Sequence, residues 1–295
     1  MDAIHQPVLL EEVIASLAPA DGGLYVDGNL GMGGHAERIL EQSAPGGRLI
    51  GFDWDAAAMA LARERLARFG DRIRYVHRNF TALEETLMEQ GVRHIDGLLL
   101  DLGLSSLQLD ASGRGFSFKG EEPLDMRMDS RRGLTAAELL NTRSQQELAD
   151  VFYYYGEERQ ARRIAEAVVE ARRSEPLRTT AQLVAVVERA VPRRFHPKKI
   201  HVATKVFQAL RIAVNQELEN LQTVLAAGPK WLAVGGRFCV ISFHSLEDRL
   251  VKRAFQENPL LRVVTSKPIV PGEAECQRNP RARSAKLRVA VRVEA

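Results

Sequence analysis

The 295-residue chain has few of the features that would fix its class at a glance. It holds two cysteines, Cys239 and Cys276, with neither metal-ligand spacing nor a partner motif. That excludes a disulfide scaffold and points to a reduced, cytoplasmic setting. No apolar run approaches the roughly 20 residues that cross a bilayer, so no membrane association is expected. The opening residues lack a basic start and an apolar core, so a signal peptide is not expected. Internal repeats and low-complexity tracts are absent. Charge of one sign is scarce too: the net charge is +3, which permits an anionic partner without demanding one. What remains is an ordinary globular composition, 45% hydrophobic and 27% charged, sufficient for one large domain or two smaller ones.

The apolar pattern alternates strand and helix. Val8, Leu9, Val13, Ile14 and Leu17 have helical spacing. Strands follow at 24–26, 48–52, 73–77 and 95–100, with helices from Ala36, from Asp55 (as N-cap) to about Phe69, and at 81–90. This is the reading of an α/β, doubly wound parallel sheet. The strand at 95–100 is continuously apolar, as expected for burial on both faces. The next clear strand, 237–241 after the turn Gly235-Gly236, comes far later than a simple crossover requires. Helical patterns at 136–154, 161–173, 180–190 and 205–225 fill the gap. A helical insertion over 106–212 is expected, dividing a sheet domain into 1–105 and 213–295. Residues 106–212 hold 19 Lys and Arg against 14 Asp and Glu, a balance of +5; the whole chain being +3, the remainder is −2. The insertion is therefore either the anion-facing part or simply a solvated helical surface. Ser245 to Asp248 has the pattern of a capping box. Strand-like runs at 261–265 and 286–293 flank a proline-rich loop.

Function-bearing residues gather at strand ends, where open α/β sheets bind ligands. The segment from Asp27 to His35 (DGNLGMGGH) follows a strand and opens a helix. Its glycines allow close approach of the backbone to a ligand, and the helix offers free N–H groups to a carboxylate or phosphate. Gly31-x-Gly33-x-x-Ala36 also fits the dinucleotide pattern, so a nicotinamide oxidoreductase stays open. Asp53, about 20 residues on, suits a ribose-binding carboxylate in either case. Phe80 could pack on adenine or belong to the core. Asp101 ends the central strand, where a carboxylate acceptor could assist methylation of an exocyclic amine, or merely cap a turn. The seven histidines form no metal-ligand array. Tyr153, Tyr154 and Tyr155 could stack bases, but their helical pattern favours core or core edge.

Several longer strings occur in order: DGNLGMGGH at 27–35, DLGLSSLQLD at 101–110, RGFSF at 114–118, PLDMRMD at 123–129, YGEER at 155–159, FQALRI at 207–212, ISFHSLEDR at 241–249 and NPRARS at 279–284. Nearly end to end, they resemble the bacterial small-subunit (16S) ribosomal RNA cytosine-N4 methyltransferase family. The chain departs from that pattern at Asn29-Leu30, at Trp54 and at Val202. The resemblance implies a class I (Rossmann-like) methyltransferase sheet with an inserted helical domain that recognises substrate. It implies S-adenosyl-L-methionine as cofactor, held by Gly33, Gly34, His35, Asp53, Phe80, Asp101 and Gln108, with Asp101 also a candidate catalytic residue and no metal. It implies methylation of the N4 of a cytidine in the decoding region, with small-subunit ribosomal RNA in an assembled 30S particle as the expected partner. A non-catalytic RNA-binding protein on the same fold is the remaining alternative.

Overall fold

The computed structural model describes residues 7–104, 113–118, 120–131 and 133–294. The chain divides into two compact units, one of Met1–Ser105 with Leu218–Ala295, the other Ser106–Glu217.

The first unit is built on a seven-stranded sheet of order β3-β2-β1-β4-β5-β7-β6. Its strands are β1 (Leu24–Asp27), β2 (Arg48–Phe52), β3 (Ile73–Val76), β4 (Ile95–Asp101), β5 (Leu232–Ser242), β6 (Leu261–Val263) and β7 (Lys286–Arg292). The first five run parallel, and β7 pairs antiparallel with both β5 and β6. Alternate residues of each central strand feed opposite cores. Leu99, Cys239 and Ile241 join Val13, Ile39 and Leu66 on one face. Leu98, Leu100, Phe238 and Val240 join Leu83, Leu221 and Phe255 on the other. The unbroken apolar runs follow from this two-sided burial, because a period-2 backbone directs every second side chain to each face. Cys239 lies in the core as a free thiol, and burial pushes it up to about 12, so it is inert at neutral pH.

Four local features differ from the sequence reading. Gly235 and Gly236 lie inside β5 rather than before it. The register against β4 jumps from Ile95↔Leu232 to Gly97↔Arg237, so the glycine pair forms a bulge, with Gly235 at φ 86°. The box opening the helix Ser245–Glu257 is displaced by one residue: His244 is the N-cap and Glu247 its reciprocal partner, not Ser245 and Asp248. The helix Glu217–Trp231 continues through Gly228 and Pro229, beyond the expected end at Leu225. The proline-rich segment contains a short helix, Glu273–Arg278, and a 3-10 turn, Pro280–Ser284.

The second unit contains the helices Ala136–Thr142, Gln145–Tyr154, Ala161–Ser174, Thr180–Ala190 and Thr204–Asn215. Two long helical patterns are each split. Ser144 caps a new helix through a box with Glu147, and Gln216 adopts a left-handed conformation after Asn215. The chain thus leaves this unit after Glu217, not at 212. Asn215 fixes the string at 123–129 in place: its side chain donates to Met126 O and accepts from Met128 N, both at 2.8 Å. Asp125 is paired to Arg127, whose guanidinium holds its carboxyl below the usual range against the effect of burial. Among the described residues no helix is long and apolar enough to cross a membrane.

Candidate functional site

The carboxyl ends of β1, β2 and β4 bring Asp27, Asp53 and Asp101 to one sheet edge, around the turn that leads into the helix Gly34–Gln42. Parallel pairing of β1 with both β2 and β4 dictates this, since each strand reaches the same edge. Asp27 is 1% exposed and accepts from Asn29 N at 3.1 Å. Burial pushes its carboxyl up to about 7; the Asn29 N–H opposes the shift, and the negative charges of Asp101 and Asp53 add to it. Asp53 accepts from Gly31 N and Asp55 N, both at 2.8 Å. Burial raises it to about 6 against these backbone donors. Asp101 is raised too, chiefly by burial, with His35 opposing.

His35 is buried with Nδ1 3.7 Å from Asp101 Oδ2 and Nε2 3.0 Å from Val8 O. Burial lowers its pKa despite Asp101. A carbonyl can only accept, so the neutral imidazole carries its proton on Nε2 and turns the Nδ1 lone pair toward Asp101.

The glycines of the turn serve different ends. Gly33 is the left-handed N-cap of the helix, at φ 80°, and a Cβ there would lie 2.8 Å from the Leu66 side chain. A Cβ on Gly34 would overlap Pro7 Cγ at 2.3 Å. Both are therefore required by packing, whatever ligand approaches. Gly31, at φ 52°, faces open space, with only Asn29 O nearby at 3.9 Å. Asn29 Oδ1 in the same turn is buried without a hydrogen-bond partner. Sequence reading missed Asn29, which is a departure from the family string; a buried amide oxygen left unpaired is the signal for it.

Phe80 lies in the core beside β1 and β4, with 8% exposure; Asn79 caps the 3-10 turn that begins there by accepting from Thr81 N. Gln108 lies outside the described residues. His244 has Nε2 3.1 Å from Glu247 Oε1, and Glu247 Oε2 accepts from Phe243 N at 2.8 Å and His244 N at 3.3 Å. The expectation that the tyrosines are core fails for two of them: Tyr153 and Tyr154 are 57% and 63% exposed.

The seven-stranded sheet with its reversed β7 is an α/β sheet, and its acidic edge surrounds the glycine turn. The chain belongs to the MraW methylase family, whose profile matches residues 2–293. It is 59% identical over 295 residues to a protein of Desulfotalea psychrophila named ribosomal RNA small subunit methyltransferase H, covering 99% of this chain and 100% of the relative. Proteins of the same name from Geotalea uraniireducens and a Cyanothece species are 52% and 53% identical, over 99% of this chain and 99% and 96% of theirs.

Proposed function

We propose that this chain transfers the methyl group of S-adenosyl-L-methionine to the exocyclic N4 of a cytidine in the decoding region of small-subunit ribosomal RNA. The observation that carries the reading is the chemistry of the strand edge. Asp27, Asp53, Asp101 and the unpartnered Asn29 Oδ1 offer acceptor oxygens, and the negative charges of Asp101 and Asp53 add to the burial that raises Asp27. Such a site favours a ligand that brings donors and positive charge. S-adenosylmethionine supplies hydroxyls, amino groups and, at the reacting methyl, a cationic sulfur. A nicotinamide dinucleotide would bring a negatively charged diphosphate to the same carboxylates, and that alternative is set aside.

Asp53 accepts from ribose hydroxyls in this reading, and Phe80 and Gln108 contribute contacts to the nucleoside. Gly33, Gly34 and His35 present the uncapped helix N-terminus to the carboxylate of the amino-acid end, where backbone N–H groups stabilise an anion. Asp101 faces the cofactor and also accepts an N4–H of the target. An exocyclic amine has its lone pair delocalised into the ring, so an acceptor that draws the proton away restores nucleophilicity as the N–C bond forms. Alignment supplies much of the remaining rate. The unit Ser106–Glu217, with its basic balance, recognises substrate. The RNA is met in an assembled 30S particle, in which a stacked target must be splayed out to reach Asp101. A cytoplasmic location goes with that substrate.

Calorimetric titration of the chain with S-adenosylmethionine and with NAD tests the cofactor. Binding of the former and no heat from the latter is expected; the reverse would overturn the reading.

A further inference from the structure

In the second unit, Tyr153 and Tyr154 end the helix Gln145–Tyr154 with their rings edge to face, centroids 5.2 Å apart. Both side chains remain more than half exposed. Two adjacent tyrosines more than half exposed are unusual on a surface that serves only for solubility. They line a cavity of about 520 Å3 together with Arg159, Arg162 and Arg163. All three arginines are exposed, and no hydrogen bond or ion pair engages any of them among the described residues. The one acid lining the cavity, Asp150, accepts from Gln146 Nε2 at 2.9 Å.

The backbone that joins the tyrosines to the arginines is closely packed. Between the tyrosines and the arginines the chain turns through Gly156, where a Cβ would lie 2.6 Å from Lys205 O and 2.7 Å from Phe152 O. Glu158 is buried, donates its N–H to Phe152 O, and accepts from Gln160 N at 2.8 Å. Arg162 and Arg163 occupy the first turn of the helix Ala161–Ser174, which has no acidic residue there and no side-chain cap. The helix dipole disfavours cations at that end, so their placement works against helix stability.

We propose that Tyr153 and Tyr154 form a stacking platform for unpaired bases of the RNA substrate, with Arg159, Arg162 and Arg163 neutralising the adjoining phosphates. Every base has a π-face, so such a surface grips single-stranded RNA with little regard to sequence. The inference rests on the function proposed above and assigns one part of its substrate-binding surface.

The test uses the full chain and two readouts: KM for methyl transfer to small subunits, and affinity for a fluorescent single-stranded oligoribonucleotide. The double variant Tyr153→Ala/Tyr154→Ala is expected to raise KM and weaken oligonucleotide binding at least about fivefold, with kcat and S-adenosylmethionine affinity unchanged. Tyr153→Phe/Tyr154→Phe, which keeps both rings, is expected to behave as the parent. Arg159→Gln/Arg162→Gln/Arg163→Gln should reduce the slope of log affinity against log salt by about 2, since each phosphate contact on a single strand contributes about 0.7. All these side chains are exposed, so the melting temperature should not fall, and removing the cations from the first turn of the helix Ala161–Ser174 should raise it slightly. An active parent beside a double variant with unchanged KM would overturn the platform alone. A raised KM with unchanged oligonucleotide affinity would assign the face to a protein of the particle and also overturn it. Absence of transfer by the parent would overturn the functional reading, while the oligonucleotide arm still decides the platform.

Discussion

At the scale of single residues, the sheet edge is built of carboxylates whose ionisation costs the folded chain. Asp53 and Asp27, raised to about 6 and about 7, bind protons in the folded state that the unfolded chain has already lost. Their contribution to stability is full below the unfolded value of about 4 and is lost as pH rises through 6 and then 7. A cationic ligand prefers the ionised forms, so its affinity runs the other way. Isothermal titration from pH 5 to 8 should show S-adenosylmethionine binding more tightly as pH rises, with protons released on binding, and Asp53→Asn should flatten the lower part of that rise. Asp53→Ala should weaken binding about tenfold or more at pH 8, the scale of a hydrogen bond to a charged group. Affinity that is flat with pH and unaffected by both substitutions would contradict the role given to Asp53. The positions of these carboxylates were legible in the sequence because strand ends and glycine turns have a local signature. The burial that sets their pKa was not, because it depends on β1 being flanked by β2 and β4. Tyr153 and Tyr154 were misread for a related reason: the helical pattern names a face but not which residues a neighbouring helix covers.

At the scale of elements, the strands were the most readable part, since two-sided burial writes continuous apolar runs. Ends were less so. His244 caps the helix Ser245–Glu257, and histidine is outside the usual N-cap residues, so the box appeared at Ser245 and Asp248 instead. Gln216 breaks a long helical pattern with a left-handed conformation that no glycine announces. The short helix Glu273–Arg278 has little intrinsic stability, and Glu275 Oε1 accepts from Leu9 N at 2.8 Å, a contact remote in sequence. The cap at His244 gives a direct test. Glu247 is buried and accepts two backbone N–H groups, so Glu247→Ala leaves both donors unpaired. A loss of about 1–3 kcal/mol is expected, read as a fall of several degrees in the melting temperature by scanning calorimetry. A change of less than one degree would show that the box does not hold this helix.

At the scale of the whole molecule, two units divide the work in the proposed function: an acidic sheet edge for the methyl donor and a basic helical unit for the RNA. The sequence showed that division through charge balance and through the long gap between β4 and β5. It could not separate an anion-binding surface from a solvated one, because formal charge does not tell which arginines are already engaged. In the folded chain some are: Arg127 and Arg131 pair with Asp125 and Asp129. Arg159, Arg162 and Arg163 stay unengaged among the described residues. The central claim is tested most directly by incubating the full chain with isotopically labelled S-adenosylmethionine and small ribosomal subunits from cells lacking this modification, then digesting the RNA and mapping the label. Label on the N4 of a cytidine in the decoding region is the expected result. Label on another atom or another region, or none at all with the cofactor bound, would contradict it.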